Sequence, residues 1–476
     1  MADILKADLC IIGAGALGRT LALAARARGL TTVLVSRPGD APGETTSGAL
    51  RRAAIMASAE RAHAMASAGA LGLARAEPKP SFRAIGERAA ALAEATAPAA
   101  APAHLIAQGV TLLDDNAAFL DSRTLRVGAV SIRAGQFVLA TGSTPRLPDI
   151  PGLHQVAFFT PDTILANLRK LSHLLVIGGD AMALELAQAY ARLGSTVTLV
   201  PQGPLLIDFD PEPVAVLLRA LREEGVTILE GASVTAVLPR SQGIGIALAH
   251  ADGALATLDV SHILLAAGRV PQLDADLLAG ARLRRDRLRP DHLLLRPDGQ
   301  TSAARITAIG GAAGAFDGPH ALRQLAHVLA RASGRPAMPI DPLRLPRLVN
   351  TTPALAQLGR PGALQPAGQG QLLLRASASQ TEAAWAAGDL AGSAKLLVGT
   401  KGAILGVSIL GSGAGDLAAM LALALERGIG AAALGDLLVP AASRAALLVD
   451  LGRQYQSLHP PSAWARRWAA LRQLLP

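Results

Sequence analysis

Four apolar residues, Leu9 to Ile12, run without interruption and stop at Gly13. Beyond Gly15 and Gly18, alanine and leucine recur at helical spacing as far as Gly29, and a second apolar run covers Thr32 to Val35. A short apolar run bounded by glycine reads as a buried strand and the longer periodic stretch as a helix. Ala7 to Arg37 therefore predicts strand, glycine turn, helix, strand. The pattern returns at Leu174 to Val200, LLVIGGDAMALELAQAYARLGSTVTLV, as an internal repeat. After Val35 a loop, Pro38 to Gly48, leads into an alanine-rich helical region broken near Pro78, Pro98 and Pro102. Short apolar runs between turn residues predict two antiparallel meanders, from His104 to Ile132 and from Val226 to Leu265. The first runs on to Ala140-Thr141-Gly142-Ser143-Thr144-Pro145, with a linker at Pro148 to Gly152; the second ends in Ala266 to Pro271. ARITAIGGAAG reads as a strand with a glycine exit at Gly310 and Gly311, followed by a helix through Leu322 to Ala332. From Leu345 the alternation of strands with two helices predicts a separate α+β unit.

The glycines of the first unit carry a specific chemistry. In G-x-G-x-x-G, Gly13 permits the tight turn, Gly15 lets backbone N–H groups approach a pyrophosphate, and Gly18 lets the helix pack against the strand. The helix N-terminus then faces the anion. The position of the motif between a strand and a helix is what makes it read as dinucleotide binding rather than as an ordinary turn.

Composition narrows the picture further. A chain of 476 residues suggests two to four domains, and 51% hydrophobic with 17% charged residues describes globular cores rather than disorder. The net charge of +9 comes from dispersed arginines, and aromatic residues make up only 3%, so no stacking platform for nucleic acid is present. The start, MADILKAD, carries no secretory pattern, and the most apolar long stretch, Gly402 to Leu425, is broken by Asp416 and glycines. A cytoplasmic protein is expected. Cys10 is the single cysteine, so no intramolecular disulfide can form. The ten histidines form no ligand cluster, and neither a zinc nor a mercury site is read.

With these pieces in one order, the chain from about Ala7 to about Arg453 resembles the flavoprotein disulfide reductases, the family of dihydrolipoamide dehydrogenase, glutathione reductase and mercuric reductase. The resemblance rests on IIGAGALG, VLATGSTPRLPDIPG, TPDTIL, the repeat itself, ILLAAGRVP, ITAIGGAAG, LPRLVNTTPALAQLG and ILGVSILG. It implies an α/β fold with two Rossmann-like units and a C-terminal α+β dimerisation domain. The FAD domain would cover residues 1–148 and 271–340, an NAD(P)-type domain 149–270, the dimerisation domain 341–453 and a tail 454–476. It also implies a homodimer and an FAD site. The implied FAD residues are the turn Gly13, Ala14, Gly15, Ala16, Leu17 and Gly18, then Ser36 and Arg37, Thr45, Ala117, the crossing Ala140, Thr141 and Gly142, and finally Gly310 and Gly311.

The departures from the family pattern decide the chemistry. The redox loop is mostly deleted: Thr46 stands where the first cysteine would be, and Gly48 where the family has the lysine beside the flavin. The acid/base pair near the C-terminus is replaced by Val439 and Arg444, neither of which can do that work. Dithiol chemistry needs a thiolate and a base, so disulfide reduction is not expected. In the second fingerprint Ala183 is a tolerated replacement, but Asp180 stands at the middle glycine and Pro201 at the ribose acid, so NAD(P)H binding is not expected either. In the first unit Ser36 replaces the ribose acid and Gly311 the aspartate that meets the ribityl chain. Glu185 matches a family glutamate, but its lysine partner is missing.

Two functional readings stand at this point. One is an FAD-dependent oxidoreductase passing electrons to a quinone or a partner protein; the other is an inactive relative serving as a dimeric scaffold. The tail bears on the first. Within 462–475, Trp464, Trp468, Leu471 and Leu475 form one stripe flanked by Arg466, Arg467 and Arg472. Such a helix suits the inner membrane surface or a partner protein, with packing on its own dimer domain as the alternative.

Overall fold

The computed structural model describes residues 4–38, 44–96, 101–360, 362–366 and 368–460, without the side chains of 44–47. Contacts divide the chain into two compact units. The first comprises Met1–Gly69, Ala74–Leu205 and Glu224–Pro342, and the second Ala70–Leu73, Leu206–Glu223 and Leu343–Pro476.

The first unit is built on β1 (Ile4–Ile12), α1 (Ala16–Arg26) and β2 (Thr32–Ser36). β1 pairs in parallel with β2 on one side and with the strand Val130–Leu139 on the other. Leu9 and Ile11 point to one core, with Leu21, Ala22 and Ala25 of α1; Cys10 and Ile12 point to a second core on the opposite face. A strand covered on both faces needs a continuous apolar run, and that is why the run carries no alternation. Burying one side chain of Leu21's kind contributes about 1.5–3 kcal/mol, so α1 is held by its packing more than by its capping. Long helices α2 (Glu44–Ser67) and α3 (Phe82–Thr96) follow, and the chain re-enters the sheet as β3 (Thr111–Asp114).

Here the expected first meander is redistributed. β3 pairs in parallel with β2 at the sheet edge, and only Ala117–Asp121 and Thr124–Val127 continue antiparallel toward Val130–Leu139. The second meander divides likewise: Ala232–Pro239, Ile244–His250 and Leu255–Val260 form an antiparallel sheet. The flanking Val226–Ile228 and His262–Leu265 join the repeat's strands Thr196–Val200 and His173–Ile177 in a parallel one. Local alternation announces a strand but not its partner, and an open parallel edge captured the end strands of both.

The second unit holds a five-stranded antiparallel sheet in the order Arg347–Val349, Leu355–Leu358, Ile404–Leu410, Ser393–Val398, Leu372–Ser377. The helices Ala414–Glu426 and Ala446–Leu458 complete its core. The helix Pro211–Glu223, which in sequence follows the repeat, belongs here by its contacts. Asp210 and Glu212 at its start reach Lys395 of Ser393–Val398 at 2.6 and 2.8 Å. The helix Ala446–Leu458 continues past Arg453 and buries Tyr455. Among the described residues no helix is long and apolar enough to cross a membrane. The stripe Trp464, Trp468, Leu471 and Leu475 lies outside the described residues.

Candidate functional site

Strand register gathers the fingerprint residues at one end of the first sheet. Ile12 lies opposite Val35 and Leu139, and Ala308 lies opposite Leu139. Gly13, Ser36, Ala140 and Gly310 therefore all emerge from the carboxyl ends of parallel strands, where open α/β sheets bind ligands. The turn itself admits no side chains at two of its glycines. Gly13 has φ +115°, and a Cβ there would sit 2.3 Å from the Ala140 carbonyl oxygen; a Cβ on Gly18 would sit 2.0 Å from the Gly13 carbonyl oxygen. Gly15 is the N-cap of α1, extended at φ −66° and ψ 179°, with no side-chain cap and no acidic residue in the first turn. Ala14, Ala16 and Leu17 are half-buried around it. The leading N–H groups of α1 are thus left for an anion.

The neighbouring residues are tied into the same end. Ser36 donates its hydroxyl to Asp114 Oδ1 at 2.6 Å. Arg37 faces the Gln272 side-chain amide, whose oxygen accepts from it once the amide is turned to the orientation that satisfies both of its ends. Thr141 Oγ1 donates to the Gln272 carbonyl at 2.6 Å, and the Gln272 N–H donates to the Gly142 carbonyl at 3.0 Å. Arg269 grips Asp162 with both terminal nitrogens, at 3.0 and 3.1 Å, and also donates to Ser143. The Gly310 N–H donates to buried Gln324 at 2.7 Å. Gly311 lies against the crossing, and a Cβ there would fall 2.8 Å from both the Gly142 carbonyl carbon and Ser143 Oγ. No side chain fits there without a shift. Ala117 opens its strand after the turn that leaves β3, and the side chain of Thr45 lies outside the described residues.

The second fingerprint has the same backbone and a different occupant. Asp180, the N-cap of the helix Ala181–Arg192, has φ −88° and ψ 177°, and its carboxylate accepts from the Ala183 N–H at 2.9 Å. Burial pushes this carboxyl up, while the N–H groups of Ala183 and Met182 and the charge of Arg269 pull it down. A cavity of about 400 Å³ opens at the carboxyl end of this sheet, between Pro201–Leu205 and Glu230–Ser233.

The cysteine and the glutamate resolve in opposite ways. Cys10 lies in β1 with no exposure, and burial pushes its thiol far above the ordinary range. It is an inert core residue. Glu185, by contrast, does have a cation: Arg52, one helical turn beyond Gly48, places Nε 3.9 Å from Glu185 Oε2 and donates to Met182 Sδ at 3.0 Å. The charge stands four residues beyond the position where the family carries its lysine, so residue-by-residue correspondence leaves Glu185 without a cation that the helix surface supplies. Among the described residues no group of three or more His, Cys, Asp or Glu side chains converges as a metal site.

Comparison with known proteins agrees with this geometry. Residues 7–333 match the family model described as pyridine nucleotide-disulphide oxidoreductase. A mercuric reductase from Streptomyces lividans is 30% identical over 435 residues, covering 89% of this chain and 90% of that protein. A dihydrolipoyl dehydrogenase from Chlorobaculum tepidum is 30% identical over 311 residues, covering 63% of this chain and 64% of that one. Among solved structures, LpdA from Mycobacterium tuberculosis aligns with a TM-score of 0.81 at 21% identity over 95% of this chain and 99% of that one. The flavoprotein disulfide reductase RclA from Escherichia coli aligns with a TM-score of 0.79 at 21% identity over 94% and 99%. The fold is shared with both. By its sequence and its doubled glycine-turn architecture, the chain belongs to the pyridine nucleotide-disulphide oxidoreductases, a family of FAD-dependent oxidoreductases.

Proposed function

We propose that this protein is a homodimeric FAD-dependent oxidoreductase that passes electrons to an acceptor other than a disulfide, a quinone or a partner protein. The observation that carries the reading is the uncapped N-terminus of α1, set among Ser36, Ala140–Gly142 and Gly310 at one sheet end, in a chain whose only thiol is buried. The N–H groups of α1 would hold the pyrophosphate, and Thr141 and Gln272 would keep the crossing closed beneath it. FAD supplies reversible two-electron chemistry with single-electron release, which quinones and redox partners need and a dithiol does not provide. Arg52 and Glu185 keep a paired charge at the α2 side of the site in place of the family's lysine. The visible absorption spectrum of the purified full chain tests the proposal. Flavin bands are expected, and a colourless preparation that takes up no added FAD would overturn it. The alternative, a scaffold without flavin, draws its support from Gly311, where no space is left for the missing carboxylate.

Pyridine nucleotide binds weakly in this reading, because Asp180 already occupies the N–H groups that a pyrophosphate would use. Asp180→Gly is expected to tighten NADH by about tenfold or more, the worth of one charge-assisted N–H donor returned to the pyrophosphate. Flavin reduction by NADH under anaerobic conditions measures it; rapid stoichiometric reduction of the unmodified protein would refute the weak-binding reading.

The tail is proposed as the membrane contact of a quinone-reducing enzyme. A chain ending at Pro460, which keeps the helix Ala446–Leu458 and its buried Tyr455, is the fair comparison. The full chain is expected to cosediment with anionic vesicles at low salt and the shortened chain to remain in solution. Equal behaviour of the two would assign the tail to a protein partner or to its own dimer.

A further inference from the structure

We infer that Asp114, on the strand beside the usual one, supplies the carboxylate that recognises the adenosine ribose of the bound dinucleotide. The inference deepens the FAD reading above and rests on it. A dinucleotide site of this class places an acid at the end of the second strand to accept from the ribose hydroxyls. Here that position is Ser36, whose single hydroxyl proton is already given to Asp114 Oδ1 at 2.6 Å. Ser36 and Asp114 are direct partners in the parallel register of β2 and β3, so the carboxylate stands at the same level of the sheet, one strand further out.

Several details favour a ligand over a simple strand tie. Ser36 is buried at 7% exposure whereas Asp114 is exposed, so the pair runs from the sheet outward and leaves the carboxylate at the surface. The Asp115 N–H donates to the Ser36 carbonyl at 3.2 Å, which locks the strand ends together, while the Ser36 hydroxyl holds the Asp114 carboxylate. The Gly13 N–H donates to the Val35 carbonyl at 2.8 Å, so Ser36 follows directly on the residue that braces the pyrophosphate turn. Arg37, the adjacent cation, is turned toward Gln272 instead. Two carboxylate oxygens can accept from two vicinal hydroxyls, and the same charge repels a 2′-phosphate. The ligand class is a dinucleotide whose adenosine ribose is an unphosphorylated diol.

The test uses the full-length protein stripped of flavin and titrated separately with FAD and FMN, following flavin fluorescence, with thermal unfolding recorded for each variant. Asp114→Asn is isosteric and is expected to weaken FAD by about tenfold or more, the worth of a charge-assisted hydrogen bond, while leaving FMN, which has no adenosine, unchanged. Ser36→Ala, which removes the anchor but not the charge, is expected to give a smaller loss of the same selectivity. Wild-type FAD affinity in Asp114→Asn would overturn the inference while the FAD reading stands, and so would an equal loss of FAD and FMN. Failure of the unmodified protein to take up FAD would instead overturn the reading beneath it, and this inference with it.

Discussion

Replacing Gly15 with aspartate is expected to yield a folded protein that no longer retains FAD. The chain contains its own precedent for this substitution. Gly15 at φ −66°, ψ 179° and Asp180 at φ −88°, ψ 177° are N-caps of equivalent helices in nearly the same extended conformation, which any residue can adopt. An aspartate at 15 would therefore cap α1 as Asp180 caps its helix, a gain of about 1 kcal/mol for the helix. For a bound pyrophosphate the same carboxylate takes up the N–H donors and adds a like charge at contact distance. At about 4 Å with an effective dielectric of roughly 20, that repulsion is about 4 kcal/mol, or about a thousandfold in affinity. The spectrum of purified Gly15→Asp, read beside its melting temperature, separates the two effects: flavin lost and stability kept. Flavin at the wild-type level would show that the α1 N-terminus does not hold the cofactor.

The second large effect lies in the C-terminal unit. Lys395 is buried in the sheet and bridges Asp210, which is 1% exposed, and the more exposed Glu212. Arg375 completes the group through Glu212. Lys395→Met removes the cation in contact with buried Asp210 and leaves it only the more distant charge of Arg375, a loss expected at about 3–5 kcal/mol. Lys395→Met with Asp210→Asn should recover much of that loss, since removing both charges removes the desolvation penalty as well. Chemical denaturation of the two variants checks it, and a single variant as stable as the unmodified chain would show that the pair holds nothing together. Hydrogen bonds from Arg375 and Lys395 lower the Glu212 carboxyl to about 2. A depressed acid stabilises the fold above its unfolded value near 4.5, and that contribution is lost as the pH falls from there toward about 2. Because Glu212 is half exposed, the pH effect is the smaller of the two.

Both experiments turn on residues that the sequence treats very differently. Gly13, Gly15 and Gly18 are legible by spacing alone, because a glycine turn between a strand and a helix is a local arrangement and its chemistry follows from backbone geometry. The doubled unit, the separate C-terminal α+β region, the isolation of Cys10 and the acidic residue in the second fingerprint are local facts of the same kind. Pairing across the chain is another matter. Nothing in the run from Thr111 to Asp114 announces that it joins β2 in parallel rather than a meander, yet this register sets Asp114 beside Ser36. The helix Pro211–Glu223 has ordinary amphipathic spacing, which does not announce that Asp210 and Glu212 at its start pair with Lys395 and Arg375 of a sheet far later in sequence. Arg52 took over the charge beside Glu185 from a position one helical turn away, which a residue-by-residue comparison passes over and a helix surface makes equivalent. The sequence by itself determined where the strands and glycine turns fall and which residue types stand at the family's motif positions. Tertiary structure decided which carboxylates and cations meet, because side-chain electrostatics acts over a few ångströms of space and takes no account of separation along the chain.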